Sequence, residues 1–271
     1  MPSYVIVGAS RGIGYQYLKT LSKDPSNKII AVARNVDATQ SQVTSDNLAN
    51  VHVVQGDLTD AESLKAAAKQ ASEITGGAVD HLVVNGAYLS HGTAFMKPSD
   101  YVGKEQYFLE EFNASMTANV AGVMFAINAF IPYVLKSSIK KVIVISSGHA
   151  AVDFMAVAGV AEAIPYAISK TAVNMLVAKF AIEYKKDGIV FLAMCPGVVL
   201  TQAESLDQLP PPAREIYDKM TEQFQKVDPR FKGPMSPKDS VEEQLNLIGR
   251  ISMKESGSFL TRKGTKEWLA Q

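Results

Sequence analysis

The sequence predicts an α/β fold built on a parallel sheet, and three observations carry that reading. Short apolar runs of strand length alternate with longer segments of helical period. The runs are apolar at consecutive positions, as strands covered on both faces must be. A glycine-rich turn stands directly between the first strand and the first helix. Together they describe a Rossmann-type, doubly wound parallel sheet with right-handed crossovers.

Each element follows from its composition. Residues 4–7 form a short buried strand, and 13–21 the helix after it. Strands two to four fall at 28–33, 51–55 and 79–84. Between the last two, 61–74 is alanine-rich and strongly helical. Residues 105–135 read as one long helical stretch with Pro132 near its end. Strand five is 141–146, followed by a helix at 166–184 and strand six at 189–194. A helix at 241–251 and a short strand at 258–261 close the fold. The one shift in composition is 202–237, rich in Pro, Lys, Asp and Glu and containing Pro210-Pro211-Pro212. It reads as a partly helical flap on the substrate side, or as a solvated surface excursion.

The 271 residues fit a single domain of this class. Lys plus Arg and Asp plus Glu both number 27, so no net charge draws the chain toward nucleic acid or an anionic membrane. The single cysteine, Cys195, excludes an internal disulfide and a multi-cysteine zinc site. It reads as a small core residue. Four scattered histidines show no metal-ligand spacing, so no metal is expected. The N-terminal residues lack the basic and long apolar regions of a signal peptide. No uninterrupted apolar run reaches the roughly 18 residues of a membrane span. The expected setting is cytosolic.

The turn is Gly8-Ala9-Ser10-Arg11-Gly12-Ile13-Gly14. Glycines let backbone approach a pyrophosphate, which then faces the free N–H groups of a helix N-terminus. An NAD-type site places a carboxylate near the end of strand two to hold the ribose 2′-hydroxyl. Here Ala33-Arg34-Asn35 occupies that place, and Arg11 lies in the turn. Two guanidiniums suit a 2′-phosphate and so favour NADP(H), unless either simply faces solvent. Asp57, after strand three, either accepts from the adenine amino group or caps the next helix, a role open to Thr59 and Asp60 as well.

Tyr166 and Lys170 stand at i and i+4 on one helical face. A phenol titrates near pH ~10, and an adjacent ammonium lowers that value. Such a tyrosine can protonate a carbonyl oxygen as hydride arrives, or take the proton back in reverse. Ser147, at the end of strand five, offers a hydroxyl to hold the substrate oxygen. Asn119, in an otherwise apolar stretch, needs a partner if buried.

These motifs resemble the short-chain dehydrogenase/reductase family over essentially the full chain. The resemblance is carried by Gly8-x-x-x-Gly12-x-Gly14, Asp57-Leu58, Asn85, Asn119, Ser147, Tyr166-x-x-x-Lys170 and Pro196-Gly197 with Thr201. It implies that Gly8, Ser10, Arg11, Gly12, Ile13, Gly14, Arg34, Asp57, Leu58, Asn85 and Gly86 line a bound NADP(H). It further implies nicotinamide-side contacts for Pro196, Gly197, Val199 and Thr201, and ribose contact for Lys170. Asn119 would hold a water that passes protons to that lysine. The C-terminal part resembles the C-factor/sniffer carbonyl-reductase branch, through Gly233-Pro234, Ser236–Val241, Ser256–Leu260 and Trp268. Val7 replaces the usual threonine before the first glycine, and Val84-Asn85-Gly86-Ala87 replaces Asn-Asn-Ala-Gly. The 18 residues between Ser147 and Tyr166 exceed the usual interval.

The extra stretch, 153–164, is apolar and expected beside the reacting carbon, opposite the flap. It suits a bulky, uncharged substrate, or else an oligomer contact. Residues 88–101 form a second irregular segment of the same cleft. The expected activity is NADPH-dependent reduction of a ketone or aldehyde, or its reverse, by a homodimer or homotetramer. The alternatives are non-redox chemistry on the same scaffold and a dinucleotide sensor without turnover.

Overall fold

The computed structural model describes residues 1–201 and 206–269. Among the described residues seven strands form one sheet: β1 (Ser3–Val7), β2 (Lys28–Ala33), β3 (Val51–Gln55), β4 (His81–Val84), β5 (Lys141–Ile145), β6 (Val190–Cys195) and β7 (Ser258–Thr261). Their order is β3-β2-β1-β4-β5-β6-β7, with every neighbouring pair parallel. The winding reverses between β1 and β4, and such a reversal opens a crevice beyond the carboxyl ends of the two strands.

Helices cover both faces. On one side lie α3 (Ala61–Thr75), α5 (Gly122–Val134) and α7 (Ile164–Glu183). On the other lie α1 (Gly12–Leu21) and α9 (Pro237–Arg250). The alternation of strand side chains separates the two cores: Val5 and Val7 face Leu64, Ile127 and Phe130, whereas Ile6 faces Leu18 and Ile248. Each such side chain contributes about 1.5–3 kcal/mol by leaving water. Most ion pairs join exposed partners, such as Lys65–Glu62, and contribute far less.

The structure refines the sequence reading at several elements. Strand four begins at His81 and not at Val79, because the Val79 N–H donates to Tyr133 O, outside the sheet. The long helix splits into α4 (Glu105–Met116) and α5 around a π-turn at Thr117–Ala121. By length and apolarity, Glu105–Val134 would suffice to cross a membrane. Here Val123, Ile127, Phe130 and Val134 are buried against the sheet, as a core helix requires. A helix absent from the sequence reading, α2 (Val36–Ser45), is capped by Asn35 and buries only Thr39 and Val43.

The 153–164 stretch holds α6 (Val152–Ala158), and the flap holds α8 (Pro211–Gln225), entered through Pro211 and Pro212. Residues 202–205 of the flap lie outside the described residues. The two segments do not oppose each other across a gap. Phe154 of α6 packs on Phe224 of α8 at 5.7 Å, in a satellite cluster with Ala158, Phe231 and Leu269.

The sheet also buries one imidazole. His81 stacks on Tyr4 at 4.3 Å, and burial pushes its pKa down to about 4. Folded, the ring is neutral where the unfolded chain would be protonated, so its stabilising contribution is lost as pH falls from about 6.5 to 4. In thermal melts between pH 7 and 4, His81→Phe should lose roughly 5 °C less than wild type.

Candidate active site

The turn after β1 and the turn after β4 are in backbone contact. Gly8 has φ +83°, and a Cβ there would stand 2.5 Å from Gly86 Cα. A Cβ on Gly14 would collide with the Gly8 carbonyl. Asn85 N and Gly86 N both donate to Val7 O at 2.9 Å, and Asn85 Nδ2 donates to Gly8 O at 3.0 Å. These bonds brace the sheet end, where Val7 has no side-chain donor to offer. Leu58 closes over Gly86, where a Cβ would come within 2.7 Å of its methyl.

The first turn of α1 follows with no acidic residue, and Arg11 makes no side-chain cap. Its N–H groups and partial positive charge are therefore left available to an anion. Ser10, Arg11 and Arg34 are exposed at this rim, and Ile13 is half-buried behind them. Gly12 meets Thr201, whose Cβ would lie 3.3 Å from an added Cβ. The cradle fits a pyrophosphate; Arg11 is the N-cap residue of α1 and Arg34 directly follows β2. Asp57 is not the cap of α3: Asp60 accepts from Glu62 N and Ser63 N. Asp57 Oδ1 instead accepts from Thr59 N and its hydroxyl, both at 2.9 Å.

Across the crevice, α7 enters through Ala163, a non-glycine residue at φ +59°, and Pro165. That entry aims Tyr166 and Lys170 at the end of β5. The Lys170 side chain is buried and its Nζ donates to Ile145 O at 2.7 Å. It lies 5.7 Å from the centre of the Tyr166 ring. The lowering of the tyrosine expected from this ammonium is not what the structure shows. Burial pushes the phenol up to about 12, against the opposing Ser147 hydroxyl. Burial also pushes Lys170 down to about 8. Low dielectric penalises both charged forms, and among the described residues the Ile145 carbonyl alone accepts from the ammonium. At neutral pH the phenol holds its proton.

Asn119 has its place on the π-turn and is fully buried. Its side chain accepts from Tyr88 N at 2.6 Å and donates to Tyr88 O and Ser169 Oγ, both at 2.9 Å. That side chain is thereby committed to holding the 88–101 segment against α7. A water bound at this residue would have to use the main chain, beside a helix register that π-geometry disturbs.

The segment after β6 is braced by residues the sequence reading missed. Ser240 of α9 donates to Pro196 O at 2.7 Å, and Arg262 N donates to Cys195 O at 2.9 Å. Gly197 (φ +87°) has the Arg262 guanidinium 2.6 Å from where its Cβ would stand. Arg262 is itself buried and paired with Glu243 at 2.5 Å. Val199 bridges Met235. The available signal was Ser240 and Gln244, two polar residues four apart on the buried face of α9. Cys195 is buried as expected, and burial raises its thiol pKa. No cluster of metal-ligating side chains occurs among the described residues.

With this geometry in place, the comparisons with known proteins define the class. The short chain dehydrogenase family matches residues 3–208, and the chain belongs to that family of oxidoreductases. It is 37% identical over 269 residues to the short-chain dehydrogenase/reductase atnB of Arthrinium sp, covering 99% of this chain and 100% of the relative. It is 38% identical over 272 residues to AacuF of Aspergillus aculeatus, with 99% of this chain covered and 100% of the relative. Among solved structures it is similar to an NADPH-bound carbonyl reductase from chicken fatty liver, with TM-score 0.77 and 25% identity over 98% of both chains. The fold is also that of the carbonyl reductase Sniffer of D. melanogaster, with TM-score 0.76 and 17% identity over 98% of both chains.

The depressed lysine makes a measurable prediction. Between pH 8 and 10.5 the unfolded chain binds a proton at Lys170 that the folded chain has released, so this group adds stability as pH rises. Relative to Lys170→Met, the wild-type melting temperature should climb by several degrees across that window. A constant difference from pH 7 to 10.5 would contradict the assignment.

Proposed function

We propose that this protein is an NADP(H)-dependent carbonyl reductase acting on a fairly bulky, apolar ketone or aldehyde, or on the alcohol in reverse. The observation that carries the reading is a half-buried, proton-bearing Tyr166 phenol beside Ser147 and Lys170, on the helix that meets the carboxyl end of β5, in the same sheet as the glycine cradle after β1. When bound, the cofactor supplies or accepts the hydride. Tyr166 gives its proton to the carbonyl oxygen, and a phenol protonated at neutral pH suits that direction. Ser147 holds the same oxygen, and Lys170 supplies positive charge as the phenolate forms. The cofactor preference rests on the exposed Arg11 and Arg34 and on likeness to the NADPH-bound chicken enzyme. The apolar α6–α8 cluster supports a substrate of low polarity. Exposed Ile168, Met175 and Ile182 recur every seventh residue on α7 and support a homo-oligomer contact along that helix.

Loss of NADPH absorbance with a panel of apolar ketones tests the activity. Tyr166→Phe should lower turnover by about 10²-fold or more while leaving NADPH affinity within a few-fold. Retained turnover would remove Tyr166 from the proton-donor role. Arg11→Ala with Arg34→Ala should weaken NADPH by about a hundredfold but NADH only slightly, in titrations by calorimetry. Equal weakening would contradict the phosphate assignment.

A further inference from the structure

We infer that His149 is a specificity-determining residue, whose Nε2 donates a hydrogen bond to a second oxygen on the substrate, close to the carbonyl that Tyr166 protonates. The inference rests on the carbonyl-reductase reading and narrows its substrate class.

His149 lies on the short turn Gly148–Ala150 that Ser147 caps, with its main-chain N–H donating to Ser147 Oγ at 3.3 Å. Its ring stands edge-on to Tyr166, with centroids 6.0 Å apart. The residue is therefore tied to Ser147 through its main chain and to Tyr166 through its ring. Its Nδ1 is buried and has no hydrogen-bond partner among the described residues. Nε2 is not among the buried unpartnered atoms and has no bond within the described residues, so it is the nitrogen that meets accessible space.

The tautomer follows. An N–H buried without an acceptor costs about 1–3 kcal/mol, and orphaned N–H groups are rarer than idle acceptors. The proton belongs on Nε2, and Nδ1 keeps an idle lone pair. Burial holds the ring neutral, against the opposing charge of Glu162. Glu162 is engaged elsewhere: it accepts from Ala161 N at 2.9 Å and pairs with Lys97 at 3.6 Å. His149 thus presents one neutral donor on its outward edge. The neighbouring wall is apolar, with the Phe154 ring 3.5 Å from where a Cβ on Gly148 would stand.

One donor in an apolar wall orients a substrate and discriminates by hydroxyl content, because a ligand without the matching oxygen leaves the donor unpaired. The substrate class is a carbonyl compound with a hydroxyl or second carbonyl a few bonds from the reacting carbon, as in β-hydroxy ketones, β-diketones and ortho-acyl phenols.

The test compares kcat/KM of the full chain with NADPH for benzophenone and its ortho- and para-hydroxy derivatives, the para isomer controlling for ring electronics. Wild type should prefer the ortho over the para isomer by about tenfold. In His149→Phe, which keeps the ring contact with Tyr166, that ratio should fall to about one. His149→Gln, which keeps a donor, should restore part of it. A wild-type ratio near one, or a ratio unchanged in His149→Phe, overturns the proposal. His149→Ala answers the same question should the phenylalanine variant not fold. If no ketone oxidises NADPH, the reductase reading fails on its own, and calorimetric titration of the three benzophenones into the NADP+ complex still decides the point. An ortho-selective affinity lost in His149→Phe supports the donor, and equal affinities overturn it.

Discussion

The contact between the Gly8 and Gly86 backbones governs everything at the carboxyl edge of the sheet. Two chain segments leave adjacent parallel strands and touch where neither has room for a Cβ. Val7 O takes both the Asn85 and Gly86 amides, so one carbonyl fixes the exit of two turns. The helix that follows Gly8 then starts uncapped, with its N–H groups left available. A negatively charged pyrophosphate is what that arrangement would stabilise.

The chemistry across the crevice is set by burial more than by pairing. Tyr166 and Lys170 share a helix face, yet the main force on each is loss of water. The phenol stays protonated and the ammonium is weakened, so the proton inventory suits donation to a carbonyl. The Ser147 hydroxyl eases the phenol toward ionisation. Segments distant in the chain stabilise this geometry: Asn119 on the π-turn ties Tyr88 to Ser169, and Ser240 and Arg262 hold the strand that precedes Gly197. Each is a buried polar group with its partners supplied, which gives a rigid site.

Much of this was legible from residue order alone. The strands at 28–33, 51–55 and 258–261 coincide with β2, β3 and β7, because a run of β-branched and apolar residues bounded by polar ones admits little ambiguity. The Tyr166–Lys170 spacing and the glycine turn were visible because both are local: one depends on helical period and the other on backbone permissiveness. Less legible was α2, whose buried face is only Thr39 and Val43. The π-turn was hidden too, since Thr117–Ala121 carries no composition that separates it from the helix on either side. Asp57 against Asp60 as the cap of α3 turned on which side chain reaches the N–H groups, a matter of angles.

The sequence by itself determined the sheet class, the cradle and the paired tyrosine and lysine, because period, glycine placement and i, i+4 spacing are properties of the local chain. Tertiary structure decided which charges survive burial, that α6 packs on α8, and that Arg262 and Ser240 hold the Cys195–Gly197 segment. It also decided that His149 stands beside Tyr166 with one buried and one accessible nitrogen. Those outcomes depend on how far each group is from water and from partners many residues away, and no local pattern encodes that distance.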